Sequence, residues 1–445
     1  MYRAHIAKRH EPIRTDASLD QLVPKDHLVR KLDRHIDFSI VHRLCAPLYS
    51  NTGQPGIDPE ILIKIILLGP LFNIRSVRQT IKEIETNLAY RWFLGLGMDE
   101  KIPDHSTISQ AYRRRFAGTD VFRQIFEDIV GQAEAHGFIS GRILITDSTH
   151  IRANANKKKF DKVEVEQVVG DVEDELLGRV NEERAKRGKK PLKPARQKKK
   201  RRLIKVSRTD PDAGYMYRDQ KPEGFFWLVH RTVDAKHNFI VDVHVTPGNV
   251  SDSTVYLDRL DYILNRFAYP LEAVALDAGY YTTEIAKALV ERGVFGVIAW
   301  RRFGGKKGMF RKTRFTYLPD VDAYLCPAKQ HLTYKTTDRH GYHQYASDPA
   351  ICQNCPLLEK CTSSRSHRRV ITRHIDESYR EAVSENRLSA SGKHLYRLRP
   401  QTVERSFADG KELHGLRFTF YRGKEAVDRA NLVAATAQNM KKLAN

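Results

Sequence analysis

Between about residues 17 and 137, apolar positions recur at helical spacing and are punctuated by helix-start residues, which predicts an all-α N-terminal domain. Asp58-Pro59 precedes the apolar run 61–72, a cap followed by a first-turn proline, and Ser76-Val-Arg-Gln79 reads as a capping box. The last two helices are expected over about 106–116 and 120–136, after the turn Ile102-Pro103-Asp104-His105. From Gly141 the pattern becomes short apolar runs, 143–145, 225–233, 239–245, 273–276 and 294–300, each bounded by Gly, Pro, Asn or Asp. Helical stretches at about 253–266 and 282–292 fall between or after them, so this part reads as α/β on a mixed sheet.

Two stretches interrupt that pattern. Residues from about 155 to 208 run first acidic and amphipathic, over 164–183, then strongly basic, over 186–202, and are read as an inserted helical arm whose basic end, Lys198 to Arg202, could order on a phosphate backbone. A second insertion, at about 303–390, holds four of the five cysteines. The expected organisation is therefore a helical domain over 1–138, a core over 139–302, the cysteine insertion over 303–390 and a C-terminal helical part over 391–445. At 445 residues each domain could close a core of its own.

Charge adds a partner to this picture. Lys and Arg number 76 against 54 Asp and Glu, a formal charge of +22, which favours a polyanion and above all nucleic acid. The helix over 106–116 carries Arg113, Arg114 and Arg115, suited to DNA phosphates or equally to a solvated basic face. The N-terminus has no apolar stretch after its basic residues, and the longest apolar run is broken by Lys64, Gly69 and Pro70, so neither an export signal nor a membrane span is expected. Cysteine usage implies a reducing interior.

Candidate chemistry lies in the carboxylates. Cutting a phosphodiester requires charge stabilisation on both attacking and leaving oxygens, which a pair of hard cations about 4 Å apart supplies when several carboxylates converge. Asp147 closes the run Arg142-Ile-Leu-Ile-Thr146 on a strand expected to continue into a short hairpin. Asp277 closes Ala273-Val-Ala-Leu276 and is followed by Ala278-Gly279-Tyr280, where glycine permits a sharp exit. Taken singly, each aspartate is more often a turn or helix-cap residue. A helix entered near Pro400 puts Val403 and Phe407 on its core face, with Glu404 and Lys411 close to one stripe. Asp242, Asp252, Glu412 and Glu425 rank below these, Asp252 as the cap of the helix after it.

Taken in order, Ile-Thr-Asp147-Ser-Thr, Asp277-Ala-Gly-Tyr and Tyr396, Arg399, Glu404 and Lys411 resemble the motifs of the DDE transposases of bacterial insertion sequences, over nearly the whole chain. The resemblance implies an RNase H-like catalytic core, with Asp147, Asp277 and Glu404 catalytic and holding two Mg2+ or Mn2+ ions. It also implies DNA contacts by Tyr396, Arg397, Arg399 and Lys411. The interval from Arg399 to Glu404 is one residue longer than in the family's commonest form, which leaves Arg397 or Arg405 as alternatives for the phosphate contact. Implied partners are double-stranded DNA, as terminal inverted repeats and target, and a second copy or more in a synaptic complex in the bacterial nucleoid. An RNase H-like nuclease that does not join strands and a non-catalytic DNA-binding regulator are the rival readings.

Cys326, Cys352, Cys355 and Cys361, at C-x25-C-x2-C-x5-C, could hold a structural zinc that folds a segment poor in apolar residues; reduced, unliganded thiols are the alternative. Cys45 reads as a small buried hydrophobe.

Overall fold

A computed structural model describes residues 17–445 apart from 51, 53–55, 170–173, 195–197, 218–221 and 301–307, so residues 1–16 of the expected N-terminal domain lie outside the described residues. The first third is helical as its periodicity predicts: α1 (Leu19–Leu22), α2 (Leu28–His35), α3 (Ser39–Cys45), α4 (Pro59–Leu71), α5 (Val77–Thr86), α6 (Leu88–Phe93), α7 (His105–Ala111) and α8 (Val121–Ala135). Asp58 caps α4 by accepting from the Glu60 amide, and Asp104 caps α7 through the Ser106 amide. The capping box at Ser76 does not form, because Gln79 donates to Glu83 one turn ahead instead of reaching back. After α7 the chain makes a π-helical turn, Tyr112–Phe116, which carries Arg113, Arg114 and Arg115.

The chain then enters the sheet at β1 (Ile143–Arg152) and leaves it as an antiparallel ribbon, β2 (Phe160–Val169) with β3 (Lys198–Ser207), joined through α9 (Asp174–Lys186). The helical arm expected here is thus a β-ribbon with one helix. Val163 and Val165 alternate with Glu164 and Glu166, a period of two set by β-branched residues that the density of acids disguised as a helix face. The chain returns through β4 (Gly214–Met216), β5 (Gly224–Asp234), β6 (Ile240–Pro247), α10 (Tyr256–Phe267), β7 (Ala273–Leu276), α11 (Thr283–Glu291) and β8 (Phe295–Ile298). Spatially the order is β6, β5, β1, β7, β8, with β4 also on β5; β6, β5 and β1 pair antiparallel, while β1, β7 and β8 run parallel. The parallel neighbours β7 and β8 are joined through α11, as such a crossover requires, and α10 leads from β6 into β7.

The second insertion folds as a five-stranded sheet, β9 (Thr316–Leu318), β10 (Ala323–Leu325), β11 (His331–Thr337), β12 (Tyr342–Ala346) and β13 (Val370–His374), with short helices α12 (Pro349–Cys352) and α13 (Leu358–Cys361) before β13. Phe315, Tyr324, Leu332, Tyr345 and Ile371 give it a small core, contrary to the expectation that it is too poor in apolar residues to fold unaided. Helix α9 docks on this sheet through arginines: Arg184 donates to Thr336 Oγ1 and the Thr337 carbonyl, and Arg187 pairs with Asp322 at 2.9 Å. The two insertions therefore meet in space.

Beyond it come α14 (Glu377–Leu388), α15 (Ala390–Tyr396), α16 (Arg405–Leu413) and α17 (Lys424–Ala444). Helix α17 is buried throughout Asn431 to Met440, between β6 on one side and α2, α4 and α8 on the other. As a result one hydrophobic core runs from Val23 to Ala444, shared by the N-terminal helices and the sheet rather than divided between separate domains. Polar groups on a helix buried on opposite sides need partners. Asn439 finds them on β6, accepting from the Ile240 amide and donating to its carbonyl. Among the described residues no helix is long and apolar enough to cross a membrane.

Candidate active site

The parallel register between β1 and β7 sets Thr146 opposite Leu276, where β7 ends, so the next residue on each chain is an aspartate. Asp147 and Asp277 are thus neighbours at the same level of the sheet. Asp147 lies mid-strand rather than at a hairpin, because β1 continues against β5 as far as Arg152. Its carboxylate is mostly buried, and Asp277, just past its strand, is exposed. Burial pushes the Asp147 carboxyl up to about 6; Arg399 opposes this, and the charges of Asp277 and Asp252 add to it.

Glu404 arrives from the far end of the sequence on a π-helical turn, Pro400–Glu404, whose defining bond runs from the Glu404 amide to the Arg399 carbonyl at 3.2 Å. In an α-helix, residues five apart point about 140° away from each other. A π-turn absorbs one extra residue, and so brings Arg399 and Glu404 back to one side. The residue by which this interval exceeds the family's commonest form is accommodated there. Arg399, only 3% exposed, donates to Asp147 Oδ2 at 2.6 Å and stands 3.9 Å from Glu404 Oε1. One guanidinium therefore ties the first carboxylate to the third. Its Nε has no hydrogen-bond partner.

The helix after this turn is held on the sheet from below. Arg231 on β5, the register partner of Asp147 and 1% exposed, donates to the carbonyl and Oγ of Ser406, both at 2.9 Å. Gly410 lets α16 approach, since a Cβ there would stand 2.9 Å from Gln438 Nε2 and 3.2 Å from Arg231. Lys411, the next residue, donates to Thr149 Oγ1 at 2.7 Å, two residues along β1 from Asp147. Glu404 and Lys411 thus share a stripe as the spacing predicts. Tyr396 is half-buried, with the Arg399 guanidinium over its ring at 5.4 Å, whereas Arg397 is exposed. Arg405 is exposed and pairs with Asp409. Arg113 and Arg114 are exposed and Arg115 stacks on Tyr49, on the helical region rather than at the carboxylates; Arg113 lines a cavity with loop residues 414–416 and 418–421.

Asp252, expected as a helix cap, makes no cap bond and instead accepts from Ser148 Oγ at 2.6 Å. It also lies under Gly279, where a Cβ would stand 2.8 Å from its Oδ2. It thus braces the residue after Asp147 against the turn after Asp277. No sequence signal finds it, since the three segments are distant in the chain. Asp252→Ala should loosen both strand ends and lower the urea unfolding midpoint, by about 1.5–3 kcal/mol of stability, the scale of one lost hydrogen bond to a charged group. Asp252→Asn, which still accepts from Ser148, should lose much less; equal losses would leave charge, not bracing, as its contribution. By contrast Asp242 is buried between Arg123 and Arg259, and Glu412 and Glu425 pair with Arg417 and Arg429.

All-carboxylate oxygen is a donor set suited to magnesium or manganese. Among the described residues, however, no three His, Cys, Asp or Glu side chains form a group able to hold a metal ion, and Arg399 lies between Asp147 and Glu404. The same holds for the expected zinc: Cys326, Cys352, Cys355 and Cys361 line one cavity of about 40 Å³ without forming such a group. Cys45 is buried as expected, and burial raises its thiol to about 11.

Two families match the chain, a transposase domain (DUF772) over residues 17–114 and a transposase DDE domain over residues 325–444. They bear out the resemblance to DDE transposases. No curated protein matches. Solved structures similar to the chain include a piggyBac transposase synaptic complex with hairpin DNA, at 9% identity and TM-score 0.32 over 94% of this chain and 78% of that one. Another is a Mos1 transposase paired-end complex with left transposon end, at 11% identity and TM-score 0.18 over 82% of each.

Proposed function

We propose that the chain is a DDE transposase that cleaves transposon ends and joins the freed 3′-OH strands to target DNA, on an RNase H-like core formed by β6, β5, β1, β7 and β8. The observation that carries this reading is that Asp147 and Asp277 follow paired residues of β1 and β7, while Arg399, bonded to Asp147, stands 3.9 Å from Glu404. Strand order and direction support the core: three antiparallel strands followed by two parallel ones, with Asp147 on the strand where the two halves meet. The net charge of +22 supports DNA as partner.

Asp147, Asp277 and Glu404 are the residues that would hold two magnesium or manganese ions, which when bound supply charge neutralisation at the phosphate and a water of lowered pKa. Asp147, crowded by Asp277 and Asp252 and countered by one guanidinium, is a carboxylate that gains from further positive charge. Arg399 keeps Asp147 and Glu404 together and would yield part of its contacts on loading. Phosphate contacts fall to exposed Arg397 and to Lys411, aligned along β1, while the exposed arginines of the Tyr112–Phe116 turn suit flanking duplex. Two ends must be synapsed, which implies at least a dimer. The described cysteine geometry lends zinc no support.

The test offers precut DNA ends and a supercoiled target with Mg2+. Joined products are expected; nicking without joining would leave a nuclease, and DNA binding with neither would leave a regulator.

A further inference from the structure

Residues 418–421 display large apolar side chains where a folded protein gains nothing by doing so: Phe418 is 37%, Phe420 53% and Tyr421 44% exposed. Slack in the loop does not explain it. The Thr419 amide bonds the Arg152 carbonyl at 3.1 Å, Phe418 pairs with Arg152 as a parallel bridge, and Asn154 Nδ2 donates to the Phe420 carbonyl at 2.7 Å. Thr419 points inward, so its two phenylalanine neighbours point out, ring centroids 4.9 Å apart. The pair lines an open cleft of about 810 Å³ with Arg152, Lys157, Lys158 and Arg417, and Arg75 stacks on Phe418.

Apolar planar faces set in a cationic rim fit a polyanion with exposed aromatic rings better than a protein surface. Arg152 lies five residues along β1 from Asp147, about 16 Å at 3.3 Å per residue, or roughly five nucleotide rises of duplex, with Lys411 on Thr149 between them.

We propose that Phe418 and Phe420 form a stacking platform for unpaired bases, so that the DNA entering the site is held locally open a few nucleotides from the scissile phosphate. This rests on the reading of the site as one that cuts DNA. Stacking on these rings anchors the bases, the surrounding cations track their phosphates, and duplex, whose base faces are covered, meets only the rim.

The test measures equilibrium binding of the full chain, with EDTA present and salt fixed, to a fluorescent duplex and to the same duplex carrying a short mismatched bubble. The native protein should prefer the bubble by about tenfold or more, and F418A/F420A should remove that preference while leaving duplex binding within about twofold. F418W/F420W, which keeps the rings, should retain it. Equal binding of both DNAs by the native protein, or equal loss on both in the alanine variant, overturns the proposal while leaving the DNA-cutting reading intact. So does an alanine variant that changes only self-association by light scattering, which would make the platform a contact between copies. Binding to neither DNA would remove the reading itself and the proposal with it.

Discussion

Asp147→Asn is expected to reduce metal-dependent end cleavage and strand joining by at least about a thousandfold, equivalent to roughly 4 kcal/mol of transition-state stabilisation, with end binding largely unchanged. The substitution keeps the shape of a side chain mostly enclosed between β1, β7 and the Pro400–Glu404 turn, and keeps an acceptor for Arg399. What it removes is charge. Asp277→Asn and Glu404→Gln should follow if, as proposed, each supplies one carboxylate to the metal ions. Gel assays of nicked and joined products on labelled ends would check all three; full cleavage by any one variant would remove that residue from the site.

The second large effect is expected at Arg399. Removing one partner of a largely buried ion pair leaves the other charge uncompensated and costs about 3–5 kcal/mol, and the partial exposure of Asp147 points to the lower end. Arg399→Ala should therefore lower the urea unfolding midpoint in EDTA. The pH dependence follows from the raised carboxyl of Asp147. Its folded pKa, about 6, exceeds the unfolded value near 3.9, so the folded state binds the proton more tightly. Stability from that proton is present in full below the unfolded value and lost as pH rises through about 6. Without Arg399 the folded value rises further, so the deficit of the variant should be largest near pH 7 and shrink towards pH 5. A deficit independent of pH would mean that Arg399 matters through packing alone.

How much of this could be read from the chain depends on the distance over which each signal acts. Asp147 and Asp277 were visible because each ends a short apolar run beside turn residues, and parallel pairing then set them side by side. Glu404 was visible as a helical residue in register with Lys411. The π-turn that aims it was not, since one extra residue in a helix leaves no mark on composition. Val163 and Val165 carried the strand period of the ribbon, but the glutamates between them gave equal support to a helix. Asp252 and Arg231 act on residues more than a hundred positions away, which no local pattern encodes. The single core was hidden for a related reason: α17 looks like an ordinary C-terminal helix until its burial between β6 and the N-terminal helices is seen.

Occupancy of the carboxylate rim by divalent cations can be read without waiting for a reaction product. Free Mn2+ followed by electron paramagnetic resonance, titrated with the full chain and an uncleavable DNA end, should disappear into bound ions for the native protein. Asp147→Ala, Asp277→Ala and Glu404→Ala should each weaken that uptake by about tenfold or more, in line with loss of a charged ligand. Uptake by Glu404→Ala indistinguishable from native would contradict the claim that the C-terminal turn completes the metal site.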